Sequence, residues 1–131
     1  EGCADPFCRR TYPWGHEDQD MLARYKAMTA MRNEHAVLRT GECAYIAPCA
    51  DVLGVIRTHE NGQDAFGQKA ENACAVTLIN RSAKEVTVYL TAGDVSGAKT
   101  LVTDDGQTFT ARSGAFSVKV KGLQGVTLFA M

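Results

Sequence analysis

The stretch Ala73-Cys74-Ala75-Val76-Thr77-Leu78-Ile79, then Asn80-Arg81-Ser82-Ala83-Lys84, then Glu85-Val86-Thr87-Val88-Tyr89-Leu90 decides the fold class. Its first seven residues are apolar enough and long enough for a central strand. Its last six alternate, a period that turns one face of a strand to a core and the other to water. The five residues between carry turn chemistry, so the spacing predicts a β-hairpin.

The same grammar continues on both sides. Strand-like runs follow at Lys99–Thr103, Thr108–Ala111, Ala115–Val120 and Val126–Ala130, separated by Asp104-Asp105-Gly106, Ser113-Gly114 and Lys121-Gly122. Towards the N-terminus, Cys43–Ala47 is a short apolar run closed by Pro48, Val52–Arg57 is a second strand, and Glu60–Asp64 is a turn. Short strands at close spacing with turn signals indicate an all-β sandwich or barrel. From Ala36 onward no helical period is evident.

Before this region, Glu17 to Asn33 reads as a helix. Met21, Leu22, Tyr25 and Met28 recur at helical spacing and Met31 extends the stripe. Asp18 is the candidate N-cap, and Glu17 and Asp20 suit the positive end of the helix dipole. Residues 1–16 are irregular, punctuated by Gly2, Pro6, Pro13 and Gly15. The apolar stripe has no second helix to receive it, so it packs on the β-region or on something outside the chain.

The 131 residues suggest about one domain. Lys and Arg number 14 against 15 Asp and Glu, a net charge of -1. Without a basic block there is little to neutralise phosphates, and no nucleic-acid partner is expected. No run approaches the length of a membrane helix, no targeting motif is evident, and no membrane partner is expected. The chain opens at Glu1 rather than at a Met and reads as a fragment. Five cysteines at positions 3, 8, 43, 49 and 74 lack zinc or redox spacing. They read as buried or idle thiols in a reducing, cytoplasmic compartment.

Most polar candidates have bland readings. His16, His35 and His59 lack a ligand partner at helical spacing and read as surface or capping residues, with no metal and no cofactor expected. Asn80-Arg81-Ser82 matches a glycosylation acceptor but sits where a hairpin turn is expected. Glu60–Asp64 lacks the spacing of a calcium loop. No phosphate loop, nucleophile elbow or Cys/His pair is present.

The informative segment is Asp5-Pro6-Phe7-Cys8-Arg9-Arg10-Thr11-Tyr12-Pro13-Trp14. It reads either as a rigid loop with an aromatic anchor or as a polar recognition loop. A carboxylate accepts hydrogen bonds from hydroxyls and a guanidinium donates several in a fixed fork. Pro6 stiffens the turn between Asp5 and Arg9. Sugars are bound by such planar polar groups beside aromatic rings.

This segment resembles the α-amylase family of glycoside hydrolases, nearest to neopullulanase and cyclomaltodextrinase-like members. Glu1-Gly2 is similar to the end of the family's Gly-Asp-Glu stretch, and Asp5-Pro6-x-x-Arg9 with Tyr12-Pro13-Trp14 is similar to the loop that follows. Lys26, Met28–His35, Leu38-Arg39-Thr40-Gly41-Glu42 and Leu78-Ile79-Asn80-Arg81-Ser82 continue in family order. The position before the loop arginine, often Asn in the family, is Cys8 here.

The resemblance implies a mainly β chain. Residues 1–35 would be the last loop and amphipathic helix of a (β/α)8 barrel absent from the chain. Residues 36–131 would be a C-terminal antiparallel β-sandwich of Greek-key type. It implies that Asp5 and Arg9 bind glucose units of an α-glucan or maltodextrin. The retaining catalytic carboxylates would lie before Glu1, so no catalytic residue is expected here and the fragment alone should be inactive. The implied partners are its own barrel and the α-glucan substrate. Self-association through the exposed helix face is a further expectation. Two alternatives stay open: a carbohydrate-binding β-sandwich module, with Phe66 its best exposed platform, and an unrelated β-sandwich interaction domain.

Overall fold

The computed structural model describes residues 4, 5, 8, 9 and 11–131. Readings that fall on Glu1, Gly2, Cys3, Pro6, Phe7 and Arg10 lie outside the described residues. The chain forms two compact units, Glu1–Ala30 and Met31–Met131.

In the first unit an irregular segment leads into helix α1 (Gln19–Glu34), which runs on into the second unit. Asp18 caps it as expected: its Oδ1 accepts the backbone N–H of Met21 at 3.0 Å. No residue of α1 is buried, and Met21, Tyr25 and Met28 stand exposed at helical spacing. The stripe is narrow, because Ala23, Ala27 and Ala30 spread weak apolarity around the rest of the helix.

The second unit is an antiparallel β-sandwich. Its strands are β1 (Glu42–Cys49), β2 (Val52–His59), β3 (Ala73–Asn80), β4 (Val86–Thr91), β5 (Thr100–Thr103), β6 (Thr108–Thr110), β7 (Ala115–Val120) and β8 (Gly125–Ala130). Six form one sheet in the order β1-β2-β3-β8-β5-β6, and β4 and β7 form the other. β8 returns to lie beside β5 after β6 and β7, a Greek-key connection whose third strand belongs to the second sheet. Alternation explains the core. Val88 and Leu90 of β4 and Phe116, Val118 and Val120 of β7 point inward against Val76, Leu78, Leu101 and Leu128 of the larger sheet. Between them Tyr89, Ser117 and Lys119 face solvent.

The predicted hairpin of residues 73–90 does not form. β3 pairs with β2 and β8, whereas β4 pairs with β7. The segment between them crosses from one sheet to the other. Alternation assigns faces to a strand but does not choose its neighbours, and the turn chemistry of residues 80–84 serves a crossover equally well.

Asn80 organises that crossover. It is 2% exposed. Its Nδ2 is shared among the carbonyls of Lys84 (2.8 Å), Val120 (3.0 Å) and Lys121 (3.2 Å), and its Oδ1 accepts the N–H of Ser82 at 2.9 Å. A carboxamide supplies both donor and acceptor where strand pairing stops, which satisfies the backbone groups left there. The acceptor triplet Asn80-Arg81-Ser82 is therefore structural. Gly122 completes the corner, because the carbonyl of Ala83 lies where a Cβ would stand.

Two further expectations change, and one turn is added. Pro48 lies inside β1 rather than ending it; β1 is an edge strand, and its register shifts between Ile46 and Cys49, which a proline tolerates. A short helix α2 (Ala36–Thr40) precedes β1, too short for its period to register in the sequence. A single 3-10 turn over Ala92–Val95 seats buried Val95 in the core. Helix α2 packs on β2 and β3, where Val37 and Ala75 are buried. The larger sheet is thus covered on both faces at that point.

Candidate functional site

The Asp5–Arg9 pair closes on itself. Arg9 Nε lies 2.6 Å from Asp5 Oδ1, and Arg9 Nη2 donates to Asp5 Oδ2 at 2.8 Å. This is the two-pronged carboxylate–guanidinium geometry that fixes both planes. The Cys8 thiol lies 3.6 Å from Asp5 Oδ1. Both charged side chains are exposed, so the pair adds little to stability. Its remaining lone pairs and N–H groups are open to a polar ligand.

Further along the loop, Tyr12 and Trp14 meet edge to face, with ring centroids 4.6 Å apart at 61°. Both rings are exposed. The N–H of His16 donates to the Pro13 carbonyl and that of Gly15 to Glu17 Oε1, which turns the chain towards the Asp18 cap. Between this loop and the start of α1 lies an open cleft of about 350 Å³. Tyr12, Pro13, Glu17, Met21 and Tyr25 contribute to its walls. A cleft with aromatic walls and a carboxylate at its rim can hold a hydroxylated ligand by stacking and hydrogen bonding.

In the β-sandwich the polar groups are mostly structural. His59 is 3% exposed, contrary to its reading as a surface or capping residue, and its Nε2 lies 2.9 Å from Thr40 Oγ1. Position 59 faces outward on β2, and the arrival of α2 covers it, which the strand pattern alone does not announce. Asp64 anchors the following loop. The N–H of Gln68, then those of Phe66 and the Thr40 hydroxyl, hold its carboxyl below the usual range. Asp105 is likewise lowered, first by the Thr103 hydroxyl and then by the Gln107 N–H. Burial pushes the Cys74 thiol up, as suits an inert core cysteine. Cys8, Cys43, Cys49 and Cys74 are free thiols.

Tyr45 and Tyr89 are each 69% exposed, while Phe116 is buried. Phe66 is exposed, as expected of a loop aromatic. His35 stacks on Phe129 and lies near Glu34 and Asp104, a grouping that could hold a cation. Sequence spacing missed it because Asp104 comes from a distant turn. Among the described residues no helix is long and apolar enough to cross a membrane.

The chain aligns over 98% of its length, at 34% identity, with an amylopullulanase of Thermoanaerobacter thermohydrosulfuricus. At 32% identity it aligns as fully with the amylopullulanase of Thermoanaerobacterium saccharolyticum. An Anoxybacillus α-amylase superposes on 96% of the chain with a TM-score of 0.75 at 18% identity, over 25% of its own length. Over nearly its whole length the chain is similar to part of these amylopullulanases, and its fold is shared with α-amylases. An acarbose complex of the α-amylase from Geobacillus thermoleovorans shares the fold, with a TM-score of 0.72 at 13% identity over 89% of this chain and 24% of that one. No family model matches the chain. The chain spans only 9% and 10% of the length of the two amylopullulanases. These matches are to hydrolases and do not favour a free-standing carbohydrate-binding module.

Proposed function

We propose that this chain is the C-terminal part of a glycoside hydrolase acting on α-glucans. Residues 1–35 complete its catalytic barrel, and residues 36–131 form a structural β-sandwich. The observation that carries the reading is the alignment with amylopullulanases, which covers 98% of the chain and so takes in the Asp5–Arg9 loop, α1 and the sandwich.

In this reading the catalytic carboxylates come from the parent chain, and Asp5 and Arg9 form one edge of its substrate cleft. The paired planes of Asp5 and Arg9 offer acceptors and donors to vicinal hydroxyls of a glucose unit. Tyr12 and Trp14 stiffen the loop. The exposed stripe of Met21, Tyr25 and Met28 is buried against the barrel, where methionines fit an irregular surface. The sandwich supplies a rigid base.

A two-dimensional amide NMR titration of the 131-residue chain with maltohexaose tests the division of labour. Shifts that are absent, or weak and confined to residues 4–16, are expected. Saturable shifts clustered on the β-sandwich would overturn the structural role given to residues 36–131.

A further inference from the structure

We propose that Glu34, His35 and Asp104 form a site for a divalent transition-metal ion of the zinc or cobalt type. Glu34 is the last residue of α1, His35 joins α1 to α2, and Asp104 follows β5. One ligand atom from each lies within 4.8 Å of the other two, and His35 Nε2 is 3.7 Å from Asp104 Oδ1. Ligands of a four-coordinate zinc ion with bonds near 2.0–2.1 Å stand roughly 3.4 Å apart. Rotation of two exposed carboxylates closes that difference.

The surroundings favour a cation in two independent ways. The imidazole is already oriented: it stacks on Phe129 with centroids 3.8 Å apart and planes at 22°. The stack restricts the plane of the ring and so limits the directions in which its nitrogens can point. The negative charge is also unmatched. Arg32 Nη1 donates to the Leu38 carbonyl, and Arg39 Nη1 to the Asn33 carbonyl at 2.8 Å. Among the described residues neither Glu34 nor Asp104 has a lysine or arginine ion-pair partner. The C-terminal carbonyls of α1 add to the negative potential there.

The donor set selects the ion. Calcium and magnesium take oxygen ligands, whereas one imidazole nitrogen with two carboxylates suits zinc, cobalt or nickel, with water completing the shell. Bound metal ties the end of α1 to the turn after β5, so the ion acts as a structural clamp. Binding to the folded state alone raises stability by mass action. This inference does not depend on the proposed hydrolase function.

Titration of the 131-residue chain with Co2+, followed by visible absorption and thermal unfolding, tests the site. Saturable binding with weak d–d bands, no thiolate charge-transfer band and a raised Tm is expected. Asp104→Asn and His35→Gln should each weaken binding at least about tenfold. Asp104 lies on an exposed turn, so its variant reports on binding even where loss of the Phe129 stack unfolds His35→Gln. Absence of saturable binding at millimolar Co2+, a thiolate band, or wild-type affinity in Asp104→Asn would overturn the proposal.

Discussion

The carboxamide of Asn80, at the end of β3, donates to the carbonyl of Val120, at the end of β7, across 3.0 Å of buried space. These residues belong to different sheets, so a single side chain fixes where the two layers meet. Asn80→Ala leaves the carbonyls of Lys84, Val120 and Lys121 without this donor and the Ser82 N–H without its acceptor. The expected loss is about 2–4 kcal/mol in urea-induced unfolding, since each buried group left unsatisfied costs about 1–3 kcal/mol and water relieves part of it.

Phe116 is the largest fully buried side chain, whereas Tyr89 projects from the facing strand into solvent. Phe116→Ala should destabilise the sandwich by about 3–5 kcal/mol, the usual cost of emptying an aromatic core site. Tyr89→Ala should change it by less than about 1 kcal/mol. Chemical unfolding of both variants, with unchanged m-values, checks the inward and outward assignments.

Asp18→Ala removes the acceptor for the Met21 N–H and should cost α1 about 1 kcal/mol. No residue of α1 is buried, so little packing masks the loss. Reduced far-UV helicity and faster amide exchange at Met21 and Leu22 are the expected readouts.

The carboxyl of Asp64 is held below its ordinary value in the folded chain, so the stabilisation it provides is present above the unfolded carboxylate pKa. That stabilisation disappears as pH falls through the lower folded value. Amide protection at Phe66 and Gln68, the donors to Asp64 Oδ1, should persist through the pH range where free carboxylates titrate and fail only below it. In Asp64→Asn, protection at these two amides should be lower at neutral pH and should lack this acid transition.

The sequence made the strands legible because Val88–Tyr89–Leu90 and Phe116–Ser117–Val118 each alternate, and one buried face is enough to announce them. Pairing was not legible. β3 and β4 are adjacent in the chain yet lie in different sheets, a choice made by long-range packing that no local period records. Helix α2 escaped for the same reason that hid His59: five residues carry no period, and covering the outer face of β2 is a tertiary event. At the candidate site, the spacing of Asp5 and Arg9 already suggested joint action, and the structure places them in a two-pronged pair. The grouping of Glu34 and His35 with Asp104 spans the fold and left no trace in spacing.

The most direct test of the central claim is kcat/KM on maltodextrin for the longer enzyme that carries this segment, compared with its Asp5→Asn and Arg9→Lys variants. Loss of one charged hydrogen bond to substrate is worth about 1.5–3 kcal/mol, or roughly 10- to 150-fold in rate. A fall of about that size in each variant, with unchanged thermal stability, is the predicted result. Wild-type kcat/KM in both variants, or no turnover of α-glucan by the longer enzyme, would contradict it.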